Sequence, residues 1–230
     1  MHKKLMTACM ALVAFAALAV MPAVASATND PDLTHPTGTP LAPGAKITAT
    51  NIGETLMTDA NTNILTRCTK AVLTGELTKN NGTEVEGSVT SASFTGSGSE
   101  SRCTATFGDS IITPTVPVAG VAHGLPWCIR STPAMGTDEV QVRGGKCSEA
   151  SRDIRFILDV FGGATECEYQ RTTAIPGTYT TEPSDAIVHI SEQKFSRIRG
   201  SSFICPSEGF LDMSFTLETD TPTADPLYFS

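Results

Sequence analysis

One stretch, Asp153 to Arg171, constrains the fold of this chain more than any other. Two runs of alternating side chains flank Gly162-Gly163, a pair that favours a tight hairpin turn. A two-residue turn sets three pairs opposite one another: Val160 with Thr165, Leu158 with Cys167, and Phe156 with Tyr169. Because side chains alternate along a strand, all six share one face, and Cys167 is expected to point into a core.

The N-terminus reads as an export signal. His2-Lys3-Lys4 precedes an apolar run, Leu5 to Val20, and Ala25-Ser26-Ala27 follows as a cleavage site, which together predict a signal peptide over residues 1–27. The run is shorter than the ~20 residues that a spanning helix needs. Cleavage removes Lys3 and Lys4 from 16 basic residues and leaves 14 against 24 acidic ones, a net charge of −10. This charge argues against nucleic acid or an anionic membrane as a partner.

Cleavage also removes one of the 7 cysteines, Cys9, and leaves an even set. An even number of cysteines in an exported chain indicates disulfides. The cysteines lack the C-x-x-C spacing that is typical of a zinc site. We favour the sequential pairing Cys68–Cys103, Cys128–Cys147 and Cys167–Cys205, in which each bridge closes a loop worth roughly 3–4 kcal/mol of chain entropy.

A second hairpin is expected between Cys68 to Thr78 and Glu84 to Thr95. A three-residue loop with Gly82 in the left-handed conformation would pair Leu77 with Val85 and Leu73 with Val89. The same register brings Cys68 level with Phe94, close to the loop that leads to Cys103.

Short alternating segments and turn residues continue along the chain, with no convincing helix, so the fold class is all-β. We expect a Pro-rich tail or tether over residues 28–44, one domain over residues 45–218, and a C-terminal tail over residues 219–230. The domain is predicted to be a two-sheet antiparallel β-sandwich of about ten strands, with a β-barrel as the alternative.

Few residues point to chemistry, and no catalytic or phosphate-binding motif is present, so no catalytic residue and no cofactor is predicted. Three carboxylates on the polar face of the first hairpin, Asp159, Glu166 and Glu168, form a candidate Ca²⁺ site, although a solvated face explains them as well. Trp127, the only tryptophan, is either a ligand platform suited to a sugar ring or a core residue packed on the adjacent disulfide. His189, Asp185 and one of many serines would make a catalytic triad only on paper.

Three segments carry a resemblance: Leu125-Pro126-Trp127-Cys128, Gln141-Val142-Arg143-Gly144-Gly145-Lys146-Cys147, and Phe210-Leu211-Asp212-Met213. Here the chain resembles a group of exported all-β proteins of actinobacteria. That group has no established activity, so the resemblance implies a bacterial, exported, all-β protein and assigns no residue a role.

Three functions stay open. The first is a secreted or cell-surface-associated, non-enzymatic protein with a binding or envelope-structural role, whose partner would be a cell-wall or extracellular glycan or a protein. The second is a secreted hydrolase with an unrecognised active site. The third is an inhibitor that presents a disulfide-braced loop, such as Thr95 to Arg102, to a protease.

Overall fold

The computed structural model describes residues 31–96, 103–105, 108–114, 124–136, 138–160, 165–181, 185–201, 203–220 and 226–229. The predicted signal peptide lies outside these residues, as does the Gly162-Gly163 turn. Most of the loop from Thr95 to Arg102 lies outside them too.

Strands dominate this part of the chain, which contains a single short 3₁₀ turn at Pro133–Met135. The strands are β1 Leu33–Thr34, β2 Lys46–Asn51, β3 Thr55–Thr58, β4 Ile64–Cys68, β5 Lys70–Asn80, β6 Val85–Thr95, β7 Cys103–Ala105, β8 Gly108–Pro114, β9 Trp127–Ser131, β10 Glu139–Gly144, β11 Ile154–Val160, β12 Thr165–Arg171, β13 Ile175–Thr181, β14 Ala186–Arg199, β15 Glu208–Thr219 and β16 Tyr228–Phe229.

The strands close on themselves in a barrel of 8 strands. The order around this main barrel is β2, β5, β6, β9, β10, β13, β14 and β15, and β15 pairs back to β2. The all-β prediction is therefore confirmed, but the sandwich prediction is wrong and the barrel alternative is right.

A second closed circuit shares β14 and β15 with the main barrel. It runs through β12, β11, β8, β7, β4 and β3. The sharing is possible because β14 and β15 are long: the first half of β14 pairs with β13, whereas its second half pairs with β12. A break in register between Ile190 and Gln193 marks a bulge at the changeover, and a bulge bends a strand as barrel closure requires.

The register of the first hairpin is the predicted one. Phe156 faces Tyr169, Leu158 faces Cys167, and the inward-facing Phe156, Leu158, Cys167 and Tyr169 are all buried. Burial raises the pKa of Tyr169 to about 12, and its hydroxyl donates to the carbonyl of Pro206 at 3.1 Å.

The register of the second hairpin differs from the prediction. Leu73 faces Ala92 instead of Val89, and Leu77 faces Gly87 instead of Val85. The register shifts at Gly75, where a Cβ atom would lie 2.2 Å from the carbonyl oxygen of Ser88. Alternation of side chains predicts a regular ladder. It therefore cannot predict a bulge at a glycine, where the missing side chain allows the two backbones to approach closely. Gly82 does adopt the expected positive φ, at 77°.

The described parts of both segments predicted as tails instead close one end of the main barrel. Strands β1 and β16 pair with each other, and Leu33, Leu41, Leu227 and Phe229 are buried there with the ends of the barrel strands. We call β1, β16, Leu41 and Leu227 the cap. Proline-rich composition predicts an extended backbone, but single leucines and a phenylalanine within it are enough to bury the segment against an open barrel end.

The disulfide framework is present. The structure joins Cys68 to Cys103, Cys128 to Cys147, and Cys167 to Cys205, which is the sequential set. Cys68, Cys103, Cys167 and Cys205 belong to the hydrophobic core, whereas Cys147 is only half-buried. Three disulfides indicate an oxidising, extracellular environment.

An ion-paired carboxylate, Glu84, is buried on the outer wall, with only 9% of its surface exposed. It accepts a hydrogen bond from the Lys79 ammonium at 2.5 Å and pairs with Arg130. The hydrogen bond from Lys79 lowers the pKa of Glu84 below its ordinary value of 4.5, and Arg130 adds to this effect against the opposing cost of burial.

We expect Glu84→Gln to lower the free energy of unfolding by about 1–3 kcal/mol at pH 7. A carboxylate whose pKa is lowered on folding stabilises the fold above its unfolded pKa, and this stabilisation is lost as pH falls and the group is protonated. The difference from the wild type should therefore shrink below pH 4.5. Urea unfolding at pH 7 and at pH 3 measures it.

Glu76→Gln is the matched control for that experiment. Glu76 pairs with Lys46, whose side chain is 60% exposed. Glu76→Gln should therefore lower the free energy of unfolding by less than about 1 kcal/mol. An equal penalty for Glu84→Gln at both pH values would show that the paired charge is not the cause.

Candidate functional site

The main barrel contains a cavity of about 100 Å³. All eight of its strands contribute side chains, and the lining is almost wholly apolar. The cap closes one end through Leu33 and Phe229, while Phe156 and Ile154 of β11 reach in at the other. An 8-stranded barrel has an interior of the size that either fills with side chains or holds one small ligand. Here a space is left.

Simple alternation produces the apolar lining. In β14, Val188 and Ile190 line the cavity, and the intervening His189 points to the outer face. In β15, Met213, Phe215 and Leu217, each two residues from the next, line it.

Trp127 lies in the wall of this cavity and is only 2% exposed. Its ring meets Phe156 edge to face, with the ring centroids 5.5 Å apart. A buried ring offers no surface platform to a sugar, so any ligand of Trp127 must enter the lumen. The indole N–H is buried without a hydrogen-bond partner.

Backbone hydrogen bonds, one amide side chain and one ring stack hold the cap: Leu227 accepts from the backbone N–H of Ala186 in β14 and donates to the carbonyl of Leu217 in β15 at 3.1 Å. Asn80 accepts a hydrogen bond from the backbone N–H of Leu33 at 3.0 Å and donates to the carbonyls of Leu33 and Leu41. Phe229 stacks on Tyr179, with centroids 4.0 Å apart, and burial raises the pKa of Tyr179. Sequence reasoning missed these residues, because nothing local shows that two distant tails meet.

Two of the three candidate calcium carboxylates, Glu166 and Glu168, face cations. Asp159 and Glu166 are cross-strand neighbours, as predicted, although the Asp159 side chain lies outside the described atoms. Glu166 pairs with Arg199 at 3.5 Å, and Glu168 with Arg155 at 3.2 Å. No group of His, Cys, Asp or Glu side chains suited to a metal ion is found within the described ranges.

His189 does contact a serine. Its Nδ1 atom lies 2.8 Å from the hydroxyl of Ser214, directly across the β14–β15 ladder. The pair is on the outer wall, on the opposite side of the sheet from the cavity. A cross-strand hydrogen bond on an outer wall provides no enclosed site for an acyl group, so it lends no support to a hydrolase.

A wider groove of about 670 Å³ crosses the outer wall over β5 and β6. Its lining includes Glu76, Thr78, Glu86 and Ser88, with Lys146 from the loop that carries Cys147. Among the described residues that line the groove, none is aromatic and could stack on a sugar ring. The apolar lumen of the main barrel is therefore the better-defined candidate site.

Comparison with protein-family models, with curated proteins and with solved structures finds no match for this chain. Over the part that the structure describes, no helix has the length and apolar character needed to cross a membrane. The proposed function therefore depends on the barrel fold and its apolar lumen.

Proposed function

We propose that this is a secreted, non-enzymatic binding protein that holds one small apolar molecule inside the main barrel. The cavity of about 100 Å³ beside Trp127, lined almost wholly by apolar side chains, carries the proposal. Binding of an apolar molecule in such an apolar cavity is favourable, because the molecule restores the van der Waals contacts that the lining atoms lack.

The size of the cavity limits the ligand. An apolar cavity of roughly 150 Å³ accepts benzene. The lumen here is somewhat smaller, so a compact molecule of about five or six non-hydrogen atoms fits, and a fatty acid or a sugar does not.

The cap provides the most plausible entrance. Its two strands pair with each other through Leu33–Phe229 and Thr34–Tyr228, and Leu227 adds one backbone hydrogen bond each to β14 and β15, whereas neighbouring barrel strands pair through many more residues. Few ladder hydrogen bonds mean a low cost of local opening.

Intrinsic fluorescence tests the proposal, because Trp127 is the only tryptophan and lines the cavity. We expect a saturable change in its emission when the mature protein is titrated with methylenecyclopentane, a compact hydrocarbon. Ala49→Ile, which extends a lining side chain into the lumen, should abolish the change.

Thr48→Ile is the matched control, since Thr48 precedes Ala49 in β2 and faces the opposite side of the sheet. It should bind like the wild type. If Ala49→Ile fails to fold, Val142→Ile adds a single methylene to the same cavity. Saturable binding that survives both filling variants would place the ligand outside the lumen and refute the proposal.

A further inference from the structure

One large apolar side chain, Phe203, is almost fully exposed. It is 94% exposed, whereas the other exposed large apolar residues in the described part of the chain, Ile198 and Ile52, are 45% and 43% exposed. Single apolar residues are common on protein surfaces, so the setting of Phe203 decides whether it marks a contact site.

The backbone on which Phe203 lies is held in a tight turn. The N–H groups of Ile204 and Cys205 both donate to the carbonyl of Ser201, at 3.2 and 2.8 Å. Cys205 is fully buried and is joined to Cys167 of β12. Because the turn is anchored in the core, covering the Phe203 ring orders little additional backbone, and this lowers the entropic cost of a contact.

An exposed ion pair lies at the base of this turn. Arg199, the last residue of β14, pairs with Glu166 of β12 at 3.5 Å, and the two side chains are 70% and 47% exposed. The turn packs closely on β12, since a Cβ atom on Gly200 would lie 2.7 Å from the carbonyl oxygen of Glu166. We call Phe203, Arg199 and Glu166 the knob, which consists of one ring, one cation and one carboxylate.

The groove over β5 and β6 contains groups that complement the knob. Its volume of about 670 Å³ is ample for an aromatic ring. Its lining provides apolar surface, carboxylates and an ammonium group, from Leu125 and Pro126, from Glu76 and Glu86, and from Lys146. The ring of the knob can therefore meet apolar surface, its arginine a carboxylate, and its glutamate an ammonium group.

The knob and the groove lie on opposite sides of the main barrel. The turn that carries Phe203 joins β14 to β15, whereas the groove crosses β5 and β6. In the strand order around the barrel, β14 and β6 are separated by half of the circuit. One molecule cannot place its knob in its own groove, so the two surfaces can meet only between two copies.

We propose that copies of this chain associate head to tail, with Phe203 of one copy inserted in the groove of the next. A heterologous contact of this kind leaves a knob and a groove free at the two ends, and with the two surfaces on opposite sides it builds an open chain. The contact area is small, so the length of the chain depends on protein concentration. The assembly is independent of any ligand in the lumen.

Sedimentation velocity of the mature protein, from micromolar to millimolar concentration, measures the association. We expect the average mass of the wild type to rise with concentration beyond that of a dimer. Phe203→Ser should weaken this association roughly tenfold or more, because the ring is the central buried group of the contact. Ile52→Ser, which removes an exposed apolar side chain between β2 and β3, is the matched control and should associate like the wild type.

A variant of the groove gives the complementary test. Thr78 is exposed and lines the groove, so Thr78→Trp should fill it and also prevent self-association. This variant keeps its knob, and Phe203→Ser keeps its groove. A mixture of the two should therefore form a dimer that contains one copy of each and nothing larger. If Thr78→Trp fails to fold, Ser148→Trp fills the same groove from an exposed turn.

Three results would overturn the proposal. The first is a wild type that stays monomeric at millimolar concentration, and the second is a folded Phe203→Ser variant that associates like the wild type. The third is a mixture of the knob and groove variants that forms no dimer, since this would show that the wild-type contact does not join the knob to the groove. Circular dichroism of each variant confirms that it is folded.

Discussion

Phe156→Ala is expected to lower the free energy of unfolding by about 3–5 kcal/mol. Phe156 is 3% exposed and meets Phe94, Trp127 and Phe195 edge to face, at centroid distances of 6.3, 5.5 and 5.3 Å. It belongs to a strand of the second circuit, yet it lines the lumen of the main barrel. Removing the ring leaves a cavity at the place where β11 of the second circuit packs against the lumen of the main barrel.

Urea unfolding at pH 7 measures the effect, with Ile157→Ala as the control. Ile157 is the next residue of β11 and faces the outer side, where it is only half-buried. The alanine there should cost much less, within about 1.5 kcal/mol. Equal losses of unfolding free energy for the two variants would show that packing between the two barrel circuits does not depend on Phe156 and the three rings around it.

Removing the Cys167–Cys205 bridge is the second large effect that we expect, at about 2–5 kcal/mol for Cys167→Ala with Cys205→Ala. The bridge spans 38 residues, ties β12 to the segment between β14 and β15, and joins two sulfurs buried in the core. The Cys128–Cys147 bridge spans 19 residues and ends on the half-buried Cys147.

The corresponding double alanine variant at Cys128 and Cys147 is therefore the comparison. Loop length alone separates the two bridges by about 0.6 kcal/mol, and burial should widen the gap. Thermal unfolding ranks the variants, and non-reducing peptide mapping of the wild type checks the pairing. A larger loss at Cys128–Cys147, or a mapped link from Cys167 to Cys128 or Cys147, contradicts this ranking.

The sequence predicts local pairing well where a regular strand meets a short turn. The β11–β12 register follows from alternation around Gly162-Gly163, and it places Cys167 in the core. The prediction of register from alternation fails at β5–β6, because the bulge at Gly75 depends on how closely the facing backbone approaches. That distance is a tertiary property and leaves no mark in the pattern of side chains.

Barrel closure is not visible in the sequence for a related reason. The main barrel closes where β15 meets β2, at pairs such as Thr216 with Thr50, which are 166 residues apart. An alternating strand suits a sandwich and a barrel equally, and the choice depends on bends such as the one between Ile190 and Gln193. The cap is missed likewise, since each tail gains its burial only from the other and from the open barrel end.

Trp127 shows how far the sequence leads toward the site. Its position before a cysteine marks it as either a core residue or a ligand platform, and the two readings stay open. In the structure it is buried like a core residue, and it also lines a cavity. The cavity itself is left over by eight strands packed together, so no single segment encodes it.

We propose that the lumen beside Trp127 is an apolar chamber that accepts a guest. A crystal structure of the mature protein under xenon pressure tests this most directly, because xenon enters dry apolar cavities. We expect one xenon atom inside the main barrel, in contact with Trp127 and the apolar side chains around it. A lumen filled by protein side chains, or one that stays free of xenon while other sites take it up, would contradict the claim.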